Sequence, residues 1–277
     1  MDGNDFAAAR ERHHSAPCES AIRENLQRLS ESGVVYFRDG GDNLDASVLG
    51  RALAGEYGIE YVTPLFAIHR KGRYGGIVGR GYESLSEFTS LVDAVRSGGG
   101  DFIKIMFSGI MRFEEETPFS CPPLEEEEMK ALVSAVHHRG LKVMVHVNGA
   151  DAVLSAAKAG VDSIEHGYYA EDAGLEAMAE NGCIWVPTLA AVDAFVGREG
   201  FDSACVERVL QRQLAQVKKA AAMGVLVASG SDAGAVGVPH GEGIHRELTL
   251  LAQAGVGMEN ICKANETLAM IFRRLTP

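Results

Sequence analysis

Short, nearly continuous apolar runs alternate along this chain with stretches whose apolar residues recur at helical spacing. The runs fall at 34–38, 59–66, 102–107, 141–146, 161–164, 183–187 and 225–229. Apolar residues on both alternating faces mark a parallel strand with helices on one side and other strands on the other. Amphipathic helices are predicted between the runs, over 20–32, 45–57, 85–97, 124–139, 150–159, 172–181, 202–223 and 243–254. A glycine often closes the helix before the next run, as at Gly140 and Gly182. This grammar predicts an α/β fold of the TIM (β/α)8 type, a single barrel domain over 1–277 with residues 1–18 irregular. A doubly wound sheet is disfavoured, because no glycine-rich dinucleotide fingerprint follows an early run. The chain opens on a helix, so eight helices face seven strands, and the first barrel strand is expected to be absent.

Composition narrows the partners. With 277 residues, 46% hydrophobic and 23% charged, the chain supports one large core, and no apolar run reaches the length of a membrane helix. A net charge of -12 disfavours nucleic acid and anionic membranes and leaves a small-molecule substrate as the expected partner. The five cysteines are scattered without a C-x-x-C pair, which reads as reduced thiols in a cytoplasmic protein.

Four residues carry the candidate chemistry: Lys104 inside the run 102–107, and His146, His166 and Asp232 at or after the ends of later runs. In a barrel the C-terminal strand ends form the active face. A lysine inside the apolar Phe102-Ile103-Lys104-Ile105-Met106 needs an acidic partner, a depressed pKa or conversion to a carbamate by carbon dioxide. Taken singly, Lys104 reads as half of an ion pair and each histidine as a satisfied core residue. Taken together they make a ligand set for zinc or a similar divalent ion, which lowers the pKa of water from about 15.7 to about 7. Asp232 would then move the proton.

The segments Ile103-Lys104-Ile105-Met106, Val145-His146-Val147-Asn148-Gly149-Ala150, Ile164-Glu165-His166-Gly167, Val186-Pro187-Thr188-Leu189 and Gly230-Ser231-Asp232-Ala233-Gly234 resemble the amidohydrolase superfamily, in its Xaa-Pro dipeptidase and imidazolonepropionase-like subgroup. The resemblance implies a carboxylated bridging lysine at Lys104, metal ligands at His146 and His166, and the eighth-strand aspartate at Asp232. It implies hydrolysis of an amide, cyclic amide or dipeptide C–N bond, with Asp232 as general base and acid. Two departures stand out. The H-x-H of the family's first strand is absent, and His13-His14 cannot replace it, because adjacent strand residues point to opposite faces. The flanking β-sandwich is not visible either. Two metals in the family would become one or none here. The alternative is an inactive barrel or ligand-binding protein that another chain completes, and exposed strand edges would favour a homo-oligomer.

Four further residues are candidates for substrate binding. His69 and Arg80 lie in a basic, glycine-rich stretch with Arg70, Lys71, Arg73 and Tyr74, read as a loop suited to a carboxylate. Tyr168 would donate to a developing oxyanion, and His240 would approach substrate from the loop after the last strand.

Overall fold

In the computed structural model, residues 6–114 and 118–273 are described. The strands are β1 (Tyr36–Arg38), β2 (Glu60–Val62), β3 (Ala67–Arg70), β4 (Gly79–Tyr82), β5 (Ile103–Met106), β6 (Val143–Val147), β7 (Ser163–His166) and β8 (Ile184–Val186). The helices are α1 (Phe6–Arg12), α2 (Glu19–Glu31), α3 (Ala46–Ala54), α4 (Leu85–Ser97), α5 (Glu126–His137), α6 (Ala150–Lys158), α7 (Asp172–Asn181), α8 (Leu189–Asp193), α9 (Ser203–Ala222), α10 (Glu242–Gln253) and α11 (Met258–Phe272).

Every strand pairing is parallel. β1 and β2 form one sheet, and a second runs in the order β4-β3-β5-β6-β7-β8. Backbone and side chain join the two sheets: Asp101 donates its N–H to the Thr63 carbonyl, and Thr63 donates to the Asp101 carboxylate, both at 2.9 Å. The run 225–229 joins β8 through one bridge, Trp185 to Val227. Apart from β4, which pairs on the far side of β3, the strands follow the sequential order of a barrel, and among the described residues the ring does not close between β1 and this run.

Strand alternation separates two cores. Val143, Val145 and Val147 of β6 point outward, with Ile105 and Ile164, into the layer beneath the helices. Phe102, Met144, Ile184, Val186 and Ala228 point inward and meet Ala264, Leu268 and Phe272 of α11. The same parity turns Lys104 inward with Phe102, His146 with Met144, and Glu165 away from Ile164.

Several expectations need correction. The run 59–66 breaks after Val62, where Pro64 and Leu65, the latter with φ of 66°, redirect the chain into β3. The stretch 69–80 is not one loop: His69 and Arg70 end β3, and Arg80 lies in β4. The sequence hides β4 because Gly79-Arg80-Gly81-Tyr82 lacks β-branched residues, and glycine is required there: a Cβ on Gly79 would lie 2.3 Å from the Ala67 carbonyl oxygen. Residues 6–12 form a helix where irregular chain was expected, consistent with the high helix propensity of Ala7-Ala8-Ala9; residues 1–5 lie outside the described residues. Among the described residues no helix is long and apolar enough to cross a membrane.

Candidate active site

Lys104, His146, His166 and Asp232 all line one cavity of ≈1320 Å³, whose wall also includes β1 and residues 229–236. Lys104 projects from within β5, while His146, His166 and Asp232 lie at or beyond the ends of their strands. The imidazole rings of His146 and His166 meet edge to face with centroids 4.6 Å apart; the register pairs His166 with the outward Val147, and it is the break in strand geometry at His166, with a φ of 65°, that brings its ring into the cavity beside His146.

The two rings are oriented through different nitrogens. His146 Nε2 lies 3.2 Å from the Gly109 carbonyl oxygen and 3.3 Å from Asn148 Nδ2, which directs Nδ1 elsewhere. His166 Nδ1 lies 2.8 Å from Thr188 Oγ1, which leaves Nε2 as its other ring nitrogen. The His166 carbonyl accepts from Trp185 Nε1 at 3.0 Å and Gln213 Nε2 at 2.8 Å. These bonds hold His166 at a φ of 65°, a region that residues other than glycine seldom occupy, although histidine enters it more readily than most. Thr188 and Asp232, at the next two strand ends, also have positive φ, 50° and 58°. Backbone strain of this kind costs on the order of 1 kcal/mol or more per residue and persists only where surrounding contacts enforce it.

Burial sets the protonation states. It lowers the Lys104 amine to about 8, helped by Arg38 and opposed by Glu165 and Asp232. Burial, with Lys104 nearby, lowers His146 to about 3, and burial with His146 and Lys104 holds His166 well below its ordinary range. Both imidazoles are thus neutral at pH 7, the form that binds a metal. Asp232 reaches the cavity's solvent, yet the protein around it raises its carboxyl pKa, with Glu165 adding repulsion and Lys104 attraction. Beneath them Arg38 donates to Glu165 Oε1 at 2.9 Å and to Ser163 Oγ at 2.8 Å, with its guanidinium 4.4 Å from the Phe272 ring.

The other candidates divide. Tyr168 lines the cavity with its hydroxyl 3.2 Å from Thr188 Oγ1, a bond in which either hydroxyl can be the donor. His240 lines the cavity on the β1 side, 6.4 Å from the Phe37 ring; its buried Nδ1 has no hydrogen-bond partner among the described residues, and burial lowers its pKa to about 3. His69 and Arg80 do not line the cavity. His69 Nδ1 is 3.0 Å from the Arg70 carbonyl oxygen, and Arg80 stacks 3.9 Å from the Phe66 ring. Tyr74, from the same basic stretch, does reach the site and packs 5.0 Å from the His146 ring.

The donor set suits a cation in part. Two neutral imidazoles with assigned nitrogens match zinc's preference. Among the described residues, however, no group of three or more His, Cys, Asp or Glu side chains is placed to hold a metal. A third donor has to come from Lys104, whose lowered pKa makes its amine available for a carbamate, or from outside the described residues.

Comparison with known proteins agrees with the motifs. The amidohydrolase family model matches residues 15–271. An ochratoxinase from Aspergillus niger is 31% identical over 102 residues, covering 37% of this chain and 21% of that protein. An uncharacterized protein of Mycobacterium tuberculosis is 32% identical over 141 residues, covering 49% of this chain and 38% of its own length. The matched stretches thus span well under two thirds of these relatives. A crystal structure of a Xaa-Pro dipeptidase with methionine bound in its active site superposes with a TM-score of 0.76 at 26% identity, covering 91% of this chain and 67% of that one. The crystal structure of A. niger ochratoxinase gives 0.75 at 19% identity, covering 95% and 65%, a likeness of fold alone. The parallel strands, their helical crossovers and the family match over residues 15–271 establish that this chain has a TIM-barrel-type fold and belongs to the amidohydrolase family.

Proposed function

We propose that this chain forms the barrel of a metal-dependent hydrolase that cleaves an amide, cyclic amide or dipeptide C–N bond in a small molecule. One observation carries the reading: two buried neutral imidazoles meet at neighbouring strand ends with different nitrogens engaged, in a cavity that also holds a depressed lysine and a raised aspartate. His146, through Nδ1, and His166, through Nε2, would hold a divalent cation such as zinc, with Lys104 as the third donor in carbamate form. The bound cation would supply Lewis acidity, polarising the scissile carbonyl and acidifying water.

The chain's own residues do the rest. The Asp232 carboxylate takes a proton from the attacking water as the C–O bond forms, then gives it to the leaving nitrogen as the C–N bond breaks. Its raised pKa brings it nearer to neutral pH, which suits both transfers. Tyr74 and Tyr168 give the cavity aromatic walls that exclude bulk water from the two rings. The free thiols fit a reducing compartment such as the cytoplasm.

A panel of dipeptides, N-acyl amino acids and cyclic amides, assayed with zinc and bicarbonate, tests this. Cleavage that disappears in Asp232→Asn is the expected result. Zinc binding without cleavage of any panel member favours a second reading, a ligand-binding barrel completed by another chain. The observation behind that reading is that, among the described residues, β1 pairs with β2 and the run 225–229 bridges only to β8, so the two do not pair with each other.

A further inference from the structure

Glu247 has no counterpart among the groups considered so far. It lies in α10 with a relative exposure of 0%, on the stripe that also carries Gly243, Leu250 and Leu251. A fully buried carboxyl needs a reason to be there. Its Oε2 accepts the backbone N–H of Ala190 at 2.7 Å, while Oε1 has no partner among the described residues. Ala190 is in the first turn of α8, so a side chain from another helix satisfies a donor that is ordinarily satisfied by the residue preceding the helix.

That preceding residue is Thr188, a type that normally caps with its own hydroxyl. Here it makes no cap bond, and it holds a φ of 50°. Its Oγ1 is 2.8 Å from His166 Nδ1 and 3.2 Å from the Tyr168 hydroxyl. A capping residue ordinarily has extended backbone angles, and at a φ of 50° and ψ of 46° Thr188 turns its hydroxyl away from α8 and onto that ring. We propose that Glu247 is a positioning residue: it caps α8 in place of Thr188 and so frees the Thr188 hydroxyl to fix the His166 imidazole. The consequence for metal binding rests on the role proposed above for His166; the chain of contacts does not.

Histidine ring nitrogens report this directly in ¹⁵N-labelled, metal-free protein through long-range ¹H–¹⁵N spectra. The wild type and Glu247→Gln, which keeps an acceptor oxygen, are expected to show His166 as one neutral tautomer. Glu247→Leu and the shortened Glu247→Asp are expected to mix tautomers, as Thr188→Val does. Zinc affinity should fall about tenfold to a hundredfold in Glu247→Leu, the range for lost outer partners of a ligand, with no further fall when it is added to Thr188→Val. A His166 signature unchanged in folded Glu247→Leu or Glu247→Asp, while Thr188→Val shifts it, overturns the proposal. So does a mixed tautomer in the wild type, which needs no variant to fold. If the wild type binds no zinc, the hydrolase reading fails and the spectra alone decide this one.

Discussion

Arg38 and Glu165, 127 positions apart, form an ion pair of 2.9 Å with side-chain exposures of 6% and 5%. It spans the inside of the fold from β1 to β7, directly below the candidate site. Desolvation makes such a pair a weak net stabiliser, but removing one partner strands the other charge. Arg38→Met or Glu165→Leu alone should therefore lower stability by about 3–5 kcal/mol. The double variant should lose far less than the sum. Urea denaturation of the four proteins checks this; additive losses would show that the charges do not interact.

Gly167 makes the second expectation concrete. Its φ is 61°, and a Cβ there would fall 2.6 Å from Trp185 Nε1, the donor that holds the His166 carbonyl. Gly167→Ala should cost about 1–3 kcal/mol from the backbone alone. It should also displace the indole, visible as a shift in the fluorescence of the chain's single tryptophan. An unshifted emission would mean that the Trp185 contact is not tight.

Glu247 gives a pH signature. Burial raises its carboxyl from 4.5 to about 8. The native state therefore binds a proton that the unfolded state releases between those values. Its contribution to stability is fully present below pH 4.5 and is lost as pH rises to about 8. Relative to Glu247→Gln, the wild type should lose on the order of a few kcal/mol across that window. Parallel denaturation series at pH 5 and pH 8.5 measure it, and a constant gap between the two proteins would show an unperturbed carboxyl.

The helix and strand order was legible because periodicity is a local signal. The predicted boundaries of α4 at 85–97 and α7 at 172–181 coincide with Leu85–Ser97 and Asp172–Asn181. β4 was not legible, since its pairing with β3 depends on a close backbone approach that only the fold creates. For the site, Lys104 stood out as a charge inside an apolar strand and His146, His166 and Asp232 as polar residues at or after strand ends, and the fold brings them to one cavity. His69 and Arg80 were grouped with Tyr74 by charge and proximity in sequence, but Arg80 pairs with Ile68 on the outward face, and His69, level with Met106, is covered by Gly75 and Gly81. The supporting layer was missed although a signal existed. Gln213 and Glu247 each occupy the apolar stripe of their helices, where a polar residue implies a buried partner. Neither sequence shows which partner, because those bonds reach the His166 carbonyl and the Ala190 amide across the fold.

The central claim is that His146 and His166 share a cation. Calorimetric titration of zinc into the purified chain in bicarbonate buffer, alongside His146→Ala and His166→Ala, tests it most directly. The account predicts saturable binding by the wild type and loss of at least about tenfold in affinity in each variant. Zinc binding with equal affinity in all three proteins, or none in the wild type, would contradict it.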